Sequence, residues 1–288
     1  MNPATNPAMH AVKLGLIRGG TEFRQSITNR TDQIWIITFN LIFFSVLYFQ
    51  RDATIPGTDI SLALATLPGL LGMNIITGGW MNTAMTLSVE REDGTLLRAK
   101  ATPHGMLGYF VARIVLSALN VGLGFAVFLV GGVFFLDALD DMGLTSWLTV
   151  IAIVVLGLLA TLPWGAIIGS LVKSSSSGFG LSFLPISVMI AISGIFYPIS
   201  GLPDWLHPIA QVFPVYWLGL GMRSAMLPDS AALAEIGGSW RHLETFGMLG
   251  LWAAVGLALA PRVLRRMAQR ESGSAVEERR QRAMSFGS

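Results

Sequence analysis

The chain has 288 residues, 52% hydrophobic and only 12% charged, with a formal net charge of +2 and no cysteine. A soluble globular domain carries about 25% charged residues, so the composition excludes that class and points to an integral membrane protein. The small net charge does not suggest a nucleic-acid binder, and the lack of cysteine removes disulfides, zinc–thiolate sites and thiol nucleophiles together.

Residues 1–32 are mixed and polar, and no cleavable leader is apparent. Val12, Leu16, Phe23 and Ile27 recur at helical spacing, while Lys13, Arg18, Glu22 and Arg24 lie elsewhere on the wheel. This pattern predicts an amphipathic helix on the inner membrane surface, which Gly19–Gly20 would weaken; the alternative is a polar lead-in to the first span. Crossing a bilayer takes roughly 20 apolar residues. Six segments qualify: Gln33–Phe49, Ile60–Met81, Tyr109–Phe135, Trp147–Val172, Phe179–Ile199 and Thr245–Val263. The fold expected is all-α and polytopic, with cytoplasmic residues 1–32, a transmembrane domain over 33–265 and a basic cytoplasmic tail over 266–288.

Within the first span, Asn40, Phe43, Phe44 and Tyr48 lie close around the helix; within the second, Leu70, Met73, Asn74, Thr77, Trp80 and Met81 share one face. An asparagine in lipid is costly unless hydrogen-bonded. The stripe therefore reads either as interhelical packing or as a translocation path, for which adaptable Met and aromatic side chains suit amphiphilic organic molecules. The loop that follows, Glu90 to Lys100, is densely charged. Its residues alone read most simply as a solvated loop that fixes topology. Span four carries Gly157, Thr161, Gly165 and Gly169 at four-residue spacing, a close-packing signal, and Pro68 and Pro163 are expected to kink their spans. Residues 201–227 are apolar and aromatic but interrupted by Pro203, Pro208 and Pro214. They predict short re-entrant or interfacial helices on the outside, packed against protein.

With the N-terminus placed inside, sixteen of the nineteen Lys and Arg residues fall in inside segments. The positive-inside rule thus puts both termini in the cytoplasm. Hydrolytic machinery is missing: no phosphate loop is present, and His10, His104, His207 and His242 lack metal-ligand spacing. No catalytic or metal site is expected. Apart from Arg113 the spans hold few ionisable residues, which argues against an intramembrane enzyme or a proton-coupled pump.

The run from Val89 to Leu96 (V-E-R-E-D-G-T-L), followed by Arg98 and Pro103, resembles the E-R-E-x-G-T-L element of ABC-2 type exporter permeases. Ser193 to Pro198, Leu202 to Leu206 and Phe213–Pro214 resemble that family's fifth-span segment and outside re-entrant helices. The pattern is similar to that of bacterial drug-resistance permeases of the daunorubicin-resistance kind. The resemblance implies a non-enzymatic permease subunit that pairs as a homodimer and binds no cofactor itself; two ATP-binding-cassette subunits would carry ATP and magnesium. It turns Glu90, Arg91, Glu92, Gly94, Thr95 and Arg98 into ATPase-coupling residues, and assigns an outside gate to Phe196, Pro198, Pro203, Trp205, Phe213 and Pro214. A substrate path over Asn40, Phe43, Phe44, Met73, Asn74, Thr77, Trp80 and Met81 goes with it. The function expected is export of a hydrophobic or amphiphilic small molecule, such as a drug or antibiotic, from a bacterial plasma membrane, in contact with membrane lipids and with a second permease subunit as homodimer. Alternatives are export of a lipid-linked or polysaccharide substrate, an ATP-independent carrier, or a membrane assembly factor.

Overall fold

A computed structural model describes residues 7–54, 60–102, 104–136, 142–172, 175–197 and 199–270. Eleven α-helices follow one another among these residues: α1 (Pro7–Thr28), α2 (Arg30–Gln50), α3 (Leu62–Ile76), α4 (Asn82–Glu92), α5 (Thr95–Lys100), α6 (Gly105–Leu136), α7 (Leu144–Leu171), α8 (Ser175–Ile192), α9 (Leu206–Val212), α10 (Pro214–Met226) and α11 (His242–Arg270). A π-helical turn, Thr77–Met81, joins α3 to α4, so Leu62–Glu92 runs as one rod. The two ends of the bundle are named inner and outer, after the orientation that the basic residues predict.

Five rods are long and apolar enough to cross a membrane: α2, Leu62–Glu92, α6, α7 and α11. They cover five of the six segments expected from the sequence. The remaining one, Phe179–Ile199, is helical only to Ile192 and offers a shorter apolar stretch, Phe179–Ile192. It stops because Gly194 takes a left-handed φ of 71°. There the backbone turns so that the Ile195 carbonyl lies against Gly69 of α3, where a Cβ would sit 2.5 Å from it.

Local signals set several boundaries. The Asn29 side chain accepts from Thr31 N at 2.9 Å and starts α2; Ser61 Oγ accepts from Leu64 N at 3.1 Å and starts α3. Pro214 occupies the first turn of α10, where its missing N–H costs nothing. α3 and α7 continue as helices through Pro68 and Pro163.

In lipid, helix association gains little from the hydrophobic effect and depends on close van der Waals contact between small residues. Two such seams organise the bundle. On α7, Gly165 and Gly169 meet the Trp80 and Ala84 carbonyls of the second rod, and Gly157 meets Leu218 and Ile75. On α1, Ala11, Gly15 and Gly19 are the buried residues. They lie on Gly108 and Ala112 of α6; a Cβ on Gly19 would stand 2.7 Å from the Ala112 carbonyl. Gly19 therefore docks the helix it was expected to weaken. At the centre stands α10, buried from Pro214 to Arg223 and packed on α3, α7 and α11.

Candidate functional site

The charged end of the second rod builds the inner site. Glu90 is only 8% exposed although its neighbour Val89 is exposed. Its Oε2 accepts from the Tyr109 hydroxyl of α6 at 2.6 Å. Its Oε1 faces Arg18 of α1 at 3.3 Å and Arg113 of α6 at 3.5 Å. Glu22 closes the group, pairing with Arg18 at 2.6 Å and with Arg113. Both guanidinium groups also lie over the Tyr109 ring, at 5.8 and 5.7 Å. Two arginines and two glutamates thus form a neutral cluster. Neutrality matters here, because an unpaired buried charge is strongly destabilising whereas a fully hydrogen-bonded group is tolerated. Three helices, α1, α4 and α6, each contribute to it and cannot separate without stranding charge.

The adjacent Arg91 points the other way. Its Nη1 donates to the carbonyls of Gly169, Ser170 and Val172, at 3.2, 2.7 and 2.8 Å. These are last-turn carbonyls of α7, orphaned by the end of the helix and carrying its negative dipole end. Gly94, at φ 77°, then turns the chain from α4 into α5. The Asp93 carboxylate caps α5 through Thr95 N at 2.9 Å, and Thr95 Oγ1 accepts from Arg98 at 2.9 Å. Arg98 is exposed, and Glu92 and Thr95 are half-buried.

The six expected coupling residues therefore divide. Glu90 and Arg91 are internal fasteners, Gly94 makes the turn, and Glu92, Thr95 and Arg98 lie at the surface. Beside the cluster a cleft of about 260 Å³ opens between α1, α5 and α6, lined among others by His10, Leu14, Arg18, Ala99, Thr102 and Tyr109. Arg18, Glu22 and Tyr109 carried no site role in the sequence reading. Arg113 gave the usable signal, since a cation in an apolar span requires an acidic partner.

The expected path residues also divide. Phe43 packs edge-on to Phe128 of α6 at 6.0 Å and stacks on Phe196 at 6.5 Å; Phe44 meets Phe128 at 5.9 Å. Asn74 lies against Gly124 of α6. Met73, Thr77 and Met81 are half-buried, and Thr77 Oγ1 donates to the Met73 carbonyl at 2.8 Å. Asn40 Nδ2 donates to Ile36 O at 2.7 Å, while Asn40 Oδ1 and Asn74 Oδ1 are buried with no partner among the described residues. Trp80 is set apart. It stacks on Trp164 of α7 at 6.1 Å and lies 6.3 Å from Trp252 of α11. Trp164 Nε1 donates to the Trp252 carbonyl at 3.1 Å.

At the outer end, Arg223 holds Glu235 with two bonds, at 2.5 and 3.3 Å, and reaches the Gly194 carbonyl at 3.2 Å. Arg241 donates to Gln211 at 2.6 Å and covers the Trp217 ring at 5.0 Å. Trp252, ten residues into α11 and so about 15 Å from its start, donates to the Val212 carbonyl at 2.9 Å. Of the expected gate residues, Phe196 touches Phe43, Phe213 is half-buried, Pro214 starts α10, and Pro203 and Trp205 are exposed. Pro198 lies outside the described residues.

Long apolar helices, with a charge cluster at one end, define a multi-pass membrane protein. Residues 25–261 match the family model described as ABC-2 family transporter protein. The chain belongs to that family and is a membrane transport subunit; such permeases generally work with an ATP-binding-cassette ATPase. Comparison with curated proteins finds no match.

Proposed function

We propose that the chain is the membrane-spanning subunit of an ATP-driven exporter for a hydrophobic or amphiphilic small molecule, such as a drug or antibiotic, in a bacterial plasma membrane. Two copies pair, and two ATPase subunits, which carry ATP and magnesium, sit beneath them. In this reading α8 is the short fifth of six spans, both termini are cytoplasmic, and the α9–α10 hairpin re-enters the bundle from outside. The bond from Trp252, well down α11, to the end of α9 supports that last point. The domain limits remain 1–32, 33–265 and 266–288.

The observation that carries the reading is the Glu90 cluster joining α1, α4 and α6 beside an open inner cleft. The ATPase docks on the surface of α5, with Glu92, Thr95 and Arg98, and in the cleft between α1 and α5. Glu90 and Arg91 transmit its movement into the second rod, α6 and α7. Substrate meets the α2–α6 side of the rod, where Phe43, Phe44 and Phe128 offer aromatic surface and Asn40 and Asn74 offer carbonyl oxygens. Transport follows from different affinities of the two conformations for the substrate.

The test is purification of the tagged chain in mild detergent, with mass spectrometry of what accompanies it. An ATP-binding-cassette subunit at about one per permease, with ATPase activity raised by amphiphilic compounds, is the expected result. If no ATPase is recovered there or by cross-linking in intact membranes, the exporter reading fails.

A further inference from the structure

We propose that a single buried water molecule is bound at the outer end of the bundle, where it hydrogen-bonds the Thr66 hydroxyl of α3, the Arg223 guanidinium of α10 and the Glu235 carboxylate. The site lies apart from the substrate path and the ATPase surface proposed above and depends on neither.

Thr66, early in α3, is 1% exposed, and its Oγ1 has no partner among the described residues. A helical threonine has a local remedy, the carbonyl four residues back. Thr77 and Thr161 both take it, at 2.8 Å; Thr66 does not. A buried hydroxyl left without a partner is destabilising. Thr66 lines a cavity of about 20 Å³, together with Leu62, Ile195, Leu227, Arg223 and Glu235 among others. A buried water needs about 10–15 Å³ and about two to four polar partners, so the space suits one molecule. The charged pair supplies the other partners. Arg223 is 5% exposed. It donates to the two Glu235 oxygens, at 2.5 and 3.3 Å, and to the Gly194 carbonyl, at 3.2 Å. Three bonds leave two of the five N–H donors of a guanidinium without a partner among the described residues. Each Glu235 oxygen accepts one bond there and has room for another. A water can accept from Arg223 and donate to Glu235, and it can meet a hydroxyl that works either way. The opposite charges also choose the ligand: Arg223 repels a cation, Glu235 repels an anion, and a neutral dipolar molecule satisfies both. Thr66 and Arg223 share no direct bond. The water joins them, and so ties the outer end of the second rod to the central helix α10.

The test uses the full-length chain in lipid nanodiscs. A brief X-ray pulse turns bound water into hydroxyl radicals, and mass spectrometry reads which side chains they oxidise. Ile195 is buried and lines the cavity; Ile153 is as deeply buried and does not line it. The expected result is severalfold more oxidation at Ile195 than at Ile153. That excess should vanish in Ala231→Leu, which fills the cavity from its wall, and shrink in Ala65→Val, a smaller filling from α3. Thr66→Val reads the hydrogen bond by its sign, since it removes the hydroxyl and nearly keeps the shape. With water bound, the variant strands one of the water's bonds, so its melting temperature falls. In a dry cavity, loss of an orphaned hydroxyl leaves the melting temperature unchanged or raises it. Equal oxidation at Ile195 and Ile153, an excess that survives both Ala231→Leu and Ala65→Val, or a Thr66→Val chain that melts at or above wild type each overturns the inference.

Discussion

Tyr109 on α6 and Glu90 at the end of α4 share a 2.6 Å hydrogen bond, nineteen residues apart in sequence and on opposite sides of the turn that carries α5. The bond orients a carboxylate whose second oxygen serves Arg18 and Arg113. Removing the charge with Glu90→Gln leaves two arginines against one glutamate. Breaking a buried pair costs about 3–5 kcal/mol, so the melting temperature in detergent should drop and α1 should become protease-sensitive. Tyr109→Phe removes one hydrogen bond to a charged acceptor, worth about 1.5–3 kcal/mol, and should give the same change in milder form. Wild-type proteolysis in Glu90→Gln would show that the cluster does not hold α1.

Adjacent glycines on α1 should behave differently. Gly19→Leu drives a side chain into the Ala112 carbonyl and Val115, whereas nothing lies within 4 Å of a Cβ on Gly20. Gly19→Leu should detach α1 and cut export at least tenfold while the spans still insert. Gly20→Ala should be neutral or stabilising by up to about 1 kcal/mol, through helix propensity alone. Export assays paired with a spin-label distance between α1 and α6 would read both.

Arg91→Ala should leave the last carbonyls of α7 without their cation. The expected loss is about 1.5–3 kcal/mol per hydrogen bond to a charged donor, an upper limit where one nitrogen serves several acceptors. Arg91→Lys, a compact point charge that can still reach a carbonyl, should recover part of it. If ATP hydrolysis then proceeds without export, the α4–α7 joint transmits force as well as stability; loss of stability with an unchanged export-to-hydrolysis ratio would confine Arg91 to a structural role.

Arg223→Ala buries an unpaired Glu235 carboxylate and frees the Gly194 carbonyl. A fall of about 3–5 kcal/mol is expected, larger than for the double change Arg223→Met/Glu235→Leu, which removes both charges together. A thermal-unfolding cycle over the single and double variants measures the coupling.

Much of the architecture was legible because the information was local. Apolar length marked the rods, and the four-residue spacing on span four marked the seam that α7 makes with the second rod. The same spacing at Ala11, Gly15 and Gly19 was present on α1, yet there it read as poor helix propensity, since nothing local says that α6 lies against it. Trp80 was grouped with Asn74 on the second-span stripe, although six residues at 3.6 per turn stand about 120° apart; Trp80 faces α7 and α11, whereas Asn74 meets α6. The central position of α10 was hidden by the prolines at and before its start, of which Pro214 starts a helix instead of breaking one. The tie of α1 to the Glu90 cluster depends on pairings across more than seventy residues, Arg18 with Glu90 and Glu22 with Arg113, which no periodicity can reveal.

The family match begins at residue 25, inside the last turn of α1. Half of the neutral cluster, Arg18 and Glu22, stands before that point. The boundary recognised by kinship and the boundary of the load-carrying body thus differ by eighteen residues, from Pro7 to residue 25. A chain trimmed to the family limits would shorten α11 by nine residues, keep the other long rods and lose Arg18 and Glu22, leaving Arg113 and Glu90 to find new partners at the rim of the bilayer.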